Sequence, residues 1–124
     1  MVSKLRSERI AGRIREELAE MLIFNIQDPR LAGVSITDVS IDRELAFADI
    51  FFSSLAGSES APDILAGFEH ASGFLRSELS RRVKLRTFPK LRFHWDPTLE
   101  RAEHIEKMLD DLKQAGSTPG RDRI

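Results

Sequence analysis

Seven basic side chains follow one short run of small residues. After Ala71, Ser72 and Gly73 come Arg76, Arg81, Arg82, Lys84 and Arg86, then Lys90 and Arg92. Between positions 71 and 95 only Glu78 is acidic, so local carboxylates that could neutralise these cations are scarce. Cations at this density suit a polyanion, because they displace the counterions condensed on a phosphate backbone. Small residues beside them let another backbone come close. The chemistry these residues can do is phosphate recognition, with Ala71, Ser72 and Gly73 as the cradle and Arg76 to Arg86 as the flanking charge. A solvated helix face is the ordinary alternative for any single arginine. Close packing of helices is the alternative for Gly73.

A second basic group opens the chain. Lys4, Arg6, Arg9, Arg13 and Arg15 stand against one acid, Glu8, within the first fifteen residues. Cations at a helix start oppose the macrodipole by ~0.3–1 kcal/mol each at exposed sites. Pairs such as Arg13 with Glu17 recover part of that. As a group, Arg6, Arg9 and Arg13 are placed to extend a surface for an external anion.

Other chemistry finds little support. His70, His94 and His104 fall on three separate elements without metal-ligand spacing, and no Walker-type Gly-Lys-Ser/Thr occurs. No catalytic residue, metal site or cofactor is expected. His70, beside the small-residue run, could meet a phosphate or a base. Cysteine is absent, which excludes disulfides and thiolate chemistry. No apolar run approaches the ~20 residues of a membrane helix, and the charged start lacks the core of a secretory signal. A soluble cytoplasmic protein that acts as a monomer is the expectation.

The elements that must position these residues are legible from periodicity. Residues 3–25 read as a helix with Ile10, Ile14, Leu18, Met21 and Leu22 on one side. Residues 34–42 read as a strand, with Ile36 on one face and Val39 and Ile41 on the other. A hairpin at 42–44 leads to a central strand at 45–53, with Ala46, Ala48, Ile50 and Phe52 facing the helices. Phe47 and Phe51 face away. Residues 61–83 read as a helix interrupted at Gly73 and resumed, since Gly costs ~1 kcal/mol relative to Ala inside a helix. A third strand at 90–96 turns Leu91, Phe93 and Trp95 inward, parallel to the second strand through a right-handed crossover. Residues 98–114 form an acidic helix with Leu99, Ala102, Ile105, Met108, Leu109 and Leu112 on one side. A domain at 1–115 and a polar, disordered tail at 116–124 complete the plan. The expected class is α+β: one two-layer domain, α-β-β-α-kink-α-β plus a C-terminal helix, over a three-stranded mixed sheet.

That order is similar to the type II KH domain, although the Gly-x-x-Gly loop of ordinary KH domains is absent. The run Ala71-Ser72-Gly73-Phe74-Leu75-Arg76 resembles the helix–kink–helix signature of the ribosome-binding factor A family. Arg9 to Leu22, Asp28-Pro29-Arg30, Asp42 to Asp49, and Leu85-Arg86 through Pro89 to Asp96 resemble that family's other segments in order. The resemblance implies a non-enzymatic assembly factor that binds 16S rRNA within the free 30S subunit. It further implies a role in late maturation of the rRNA 5′ end, cold adaptation, and work alongside assembly GTPases. A module that docks a ribosomal protein or a GTPase, through Phe47 and Phe51 or the last helix, is the alternative.

Overall fold

The computed structural model describes residues 1–116. Helix α1 runs Lys4–Phe24, and the Ser3 side chain caps it by accepting from the Arg6 N–H at 3.1 Å. Its buried stripe is Ile10, Ile14, Leu18 and Met21. A 3-10 turn at Pro29–Leu31 and Gly33, at a φ of 75° that favours glycine, lead into strand β1, Val34–Ile41. Then come β2, Phe47–Ser54; α2, Ala61–Arg82; β3, Lys90–Trp95; and α3, Thr98–Gly116. The sheet order is β1-β2-β3, antiparallel between the first two and parallel between the last two. A parallel pair needs a crossover, and α2 supplies it. The α+β class and the mixed three-stranded sheet are as the sequence predicts.

The core lies between one face of the sheet and helices α1 and α2. Ala48, Ile50 and Phe52 form a fully buried column on β2. Helix α1 lies over β1 and α2 over β3. Phe68 stacks on Phe93 at 4.3 Å between ring centroids, and Phe52 meets Phe68 and Trp95 at 5.1 and 5.7 Å. Phe93 and Trp95 are therefore core residues rather than a surface platform.

Two expectations about the strands are corrected. Ile36 pairs with Phe52, Val39 with Ile50 and Ile41 with Ala48, so all three β1 residues share the core face. The register shifts between Ile36 and Asp38, and that bulge at Thr37 resets the alternation. The extra residue is put to use: Thr37 Oγ1 donates to Asp96 Oδ2 at 2.5 Å, beyond the end of β3. The second strand also starts later than predicted. Leu45 adopts a φ of 57° in the hairpin connection, which is incompatible with a strand, and pairing begins at Phe47.

The predicted interruption at Gly73 is corrected too. Helix α2 is continuous from Ala61 to Arg82, and Gly73 is not at positive φ. A Cβ added at Gly73 would meet nothing within 4 Å. Close approach occurs instead at buried Gly67, earlier on the same helix. A Cβ there would lie 3.0 Å from Leu31 Cδ2 and 3.2 Å from Arg30 Cβ. Gly67 is thus the position that lets the 3-10 turn sit against α2.

Helix α3 leaves the body of the domain. Its Trp95 end is tied down, because Trp95 Nε1 donates to Glu100 Oε1 at 2.8 Å and Asp96 Oδ1 accepts from the Thr98 N–H at 2.9 Å. Further along, Ile105, Met108, Leu109 and Leu112 are each more than half exposed. The side chain of Leu99, and residues 117–124 of the predicted disordered tail, lie outside the described residues. Among the described residues, no helix is long and apolar enough to cross a membrane.

The two glycines separate in a denaturation experiment. Gly73→Ala should stabilise the domain by about 1 kcal/mol, as expected for a helix interior with open space around the new methyl. Gly67→Ala should destabilise it, because crowding that costs ~1–3 kcal/mol outweighs the same helix gain. Urea unfolding of both variants checks the order.

Candidate nucleic-acid interface

Helices α1 and α2 run antiparallel where they meet. Arg13 Nη2 donates to the Arg82 carbonyl at 3.1 Å, while Asn25 and Ile26 share a cleft with Ala71 and Phe74. Arg82 fastens this junction. Its guanidinium reaches Glu17 at 3.1 Å, Glu20 at 3.2 Å, Glu78 at 3.2 Å and Asn25 Oδ1 at 3.2 Å, and its side chain is only 20% exposed. Carboxylates that looked scarce near Arg82 in the sequence are delivered by another helix. Arg13 also pairs with Glu17, at 3.6 Å.

Arg76 is likewise engaged within the fold. It donates to the carbonyls of Phe88 at 2.8 Å and Pro89 at 3.2 Å, which anchors the connection from α2 to β3. Of the predicted contact residues, Arg13, Arg76 and Arg82 therefore act as fasteners. Arg81 is held by Glu78 but stays highly exposed.

The remaining cations of the predicted interface are free. Arg6 and Arg9 are exposed on α1, Lys84 and Arg86 on the connection at 83–89. None of their side chains has a hydrogen bond or ion pair among the described residues. Arg6, Arg9 and Arg13 fall three and four residues apart, on one helix stripe. Since Arg13 meets the end of α2, the start of α1 runs on past Arg82 to where the connection at 83–89 begins. The tertiary structure thus gathers two sequence-distant basic groups at one end of the helix layer.

At the other end of the helix pair an open cleft of about 590 Å³ separates residues 25–30 from α2. Asn25, Gln27, Arg30, His70, Ala71 and Phe74 line it. Ala71 and Ser72 are half-buried, Gly73 is exposed, and Ser72 Oγ donates back to the Glu69 carbonyl at 2.9 Å. Sequence reasoning placed His70 here but passed over Phe74 and Arg30. Phe74 is 48% exposed, being one residue out of phase with the buried Phe68, Leu75 and Leu79. That phase is the signal that could have found it. Arg30 binds Asp28 through two nitrogens, Nε to Oδ1 at 3.1 Å and Nη2 to Oδ2 at 2.7 Å. The Arg30 bonds, with His70 as a lesser neighbour, hold the Asp28 carboxyl down at about 2. A flat ring, amide groups and a fixed planar guanidinium around an open cleft can hold an unpaired base.

An α-β-β-α-β order with a parallel β2–β3 pair, both helices on one sheet face, a basic group at one end of the helix layer and a cleft at the other defines a KH-like α+β domain. A family model described as Ribosome-binding factor A matches residues 6–109. Ribosome-binding factor A of Azoarcus sp. strain BH72 is 43% identical over 94% of this chain and 93% of its own length. That of Staphylococcus carnosus strain TM300 is 35% identical over 90% of this chain and 96% of its own. The chain belongs to the ribosome-binding factor A family. Among solved structures, a crystal structure of ribosome-binding factor A from Thermus thermophilus matches with a TM-score of 0.64 at 22% identity, over 72% of this chain and 93% of that one. A Thermus thermophilus ribosome binding factor A fitted into a cryo-electron microscopy map of its 30S complex matches with a TM-score of 0.61 at 23% identity, over 73% and 96%. These two likenesses are of fold.

Two outcomes follow from the site's ion pairs. Asp28 titrates below its unfolded value of 3.8, so its contribution to stability is complete above that value and is lost as pH falls through about 2. Asp28→Asn should lower the melting temperature at pH 7, and its difference from the parent should shrink as pH falls from 4 to 2. Arg82→Ala should lower the melting temperature by uncoupling α1 from α2, whereas Lys84→Gln with Arg86→Gln should not lower it. Thermal melts across pH check both.

Proposed function

We propose that this chain is a non-enzymatic assembly factor that binds the free 30S subunit through its 16S rRNA. The carrying observation is the division among its cations. Three predicted contact arginines are engaged inside the fold, while Arg6, Arg9, Lys84 and Arg86 stay unneutralised at one end of the helix layer. Cations gathered without partners cost the fold mutual repulsion and form no ion pair in return, but they attract a polyanion over a Debye length. The cleft by Ala71, Ser72 and Gly73 supplies the complementary contact to an exposed base. Membership in the family, and the 30S complex of the Thermus thermophilus relative, support the choice of ribosomal RNA over other polyanions.

The proposal extends to a monomeric cytoplasmic factor that supports late maturation of the 16S rRNA 5′ end, in concert with assembly GTPases and with importance in the cold. Family membership supports these steps. A protein-docking role for α3 is the alternative, favoured by its exposed Ile105, Met108, Leu109 and Leu112.

Co-sedimentation with purified 30S particles over a salt series tests the proposal. Replacing Arg6, Arg9, Lys84 and Arg86 by Gln should weaken binding and flatten the log–log salt slope by about 0.7 per lost single-strand phosphate contact. Binding that survives these changes with its slope intact, but is lost on Leu109→Lys in α3, would favour protein docking instead.

A further inference from the structure

The face of the sheet turned away from the helices carries an arrangement that the rRNA contacts proposed above do not use. On β2, Phe47, Asp49 and Phe51 point outward, opposite Lys90, Arg92 and His94 of β3. Arg92 lies with its guanidinium carbon 4.1 Å above the Phe47 ring centroid. His94 stacks on Phe51 at 5.1 Å, with 30° between the rings. Asp49 holds both: Oδ1 accepts from Arg92 Nε at 2.8 Å and lies 2.7 Å from His94 Nε2, while Oδ2 accepts from Arg92 Nη2 at 3.0 Å. Arg92 first, and then His94, hold the Asp49 carboxyl below its usual range against the opposing effect of burial. Arg92 is exposed, Phe47 is 38% exposed, and the helices that pack on the sheet cover its other face.

Asp49 offsets the charge of Arg92, so this face is poorly suited to gripping phosphates. What remains is two flat composite surfaces, Phe47 under Arg92 and Phe51 beside His94, held in place by one carboxylate. Charge around them is graded. Asp38 and Asp42 lie on the β1 side and repel phosphates, whereas Lys90 stands on the β3 side. The same edge leads back along the chain to Arg86 and Lys84. We propose that this outer face is a stacking platform for the bases of single-stranded RNA, continuing the strand whose phosphates Lys84 and Arg86 hold. The backbone would follow the β3 edge past Lys90, with bases turned in over Phe47 and Phe51. The platform rests on the RNA-binding role proposed above and adds a contact of a different physical kind. Aromatic faces accept any base, because every base has a π-face, and stacking releases no counterions.

That difference makes the platform testable separately from the cationic edge. Fluorescence anisotropy would follow the full chain binding a labelled oligoriboadenylate of about 8 nucleotides, and a strand of equal length without bases, over a salt series. Phe51→Ala should weaken oligoriboadenylate binding by about tenfold, leave the salt slope unchanged and leave the base-free strand unaffected. Exposed Phe47→Ala should act in the same direction, with a melting temperature at the parent value as the control for folding. Lys84→Gln with Arg86→Gln should weaken both strands and flatten the slope, and its loss of 30S sedimentation reads the broader role independently. The platform is overturned if the parent chain binds both strands equally, or if both phenylalanine variants match the parent. It is equally overturned if those variants keep oligoriboadenylate binding but lose 30S particles, since the face would then dock a protein.

Discussion

A three-stranded sheet with one helix-covered face depends on a single buried column. Ala48, Ile50 and Phe52 sit on β2, the strand bonded on both sides, and all three are fully buried. Their cover requires two helices, and the rest of the fold accommodates that requirement. The bulge at Thr37 brings Ile36 into phase with Val39 and Ile41 so that β1 adds to the same face. Gly67 lets the 3-10 turn close against α2, and the stack of Phe68 on Phe93 seals the β3 side. Because the cover is all on one side, the other sheet face is left open, with Phe47, Phe51, Arg92 and His94 upon it.

The same arrangement sorts the arginines. A helix pair that must lie side by side over the sheet brings Glu17 and Glu20 to Arg82 and sets Arg13 against the Arg82 carbonyl. Arg76 meets two carbonyls in the connection that returns the chain to β3. Those groups would otherwise be left with unmatched charge or bare backbone acceptors close to the core, which is costly. Arg6, Arg9, Lys84 and Arg86 lie just beyond the reach of these partners. Their freedom follows from where the helices end.

Much of this organisation is legible in the sequence, for local reasons. Apolar spacing gives α1 through Ile10, Ile14 and Leu18, and alternation gives β3 through Leu91, Phe93 and Trp95. Ser3 and Asp28 cap the elements that follow them, through bonds spanning two or three residues. Phe74 is also legible in principle, since a large aromatic one step out of phase on a helix has to face outward. Side-chain period and capping are properties of neighbouring residues, so no tertiary information is needed.

Sequence by itself thus determined the element order, the core faces of both helices and the segregation of basic residues into two stretches. It did not determine the phase of β1, because a one-residue bulge is paired with the neighbouring strand and has no distinctive local composition. Nor did it determine which glycine is indispensable to packing. Gly73 and Gly67 differ only in what lies across from them, and Leu31 comes from another part of the chain. The roles of individual arginines were decided by tertiary structure for the same reason. Spacing in sequence does not say which acids a guanidinium will meet: Glu78 is four residues from Arg82, but the other two carboxylates that claim it, Glu17 and Glu20, are more than sixty residues away. Long-range contacts decide which charges are neutralised, and hence which remain for a partner.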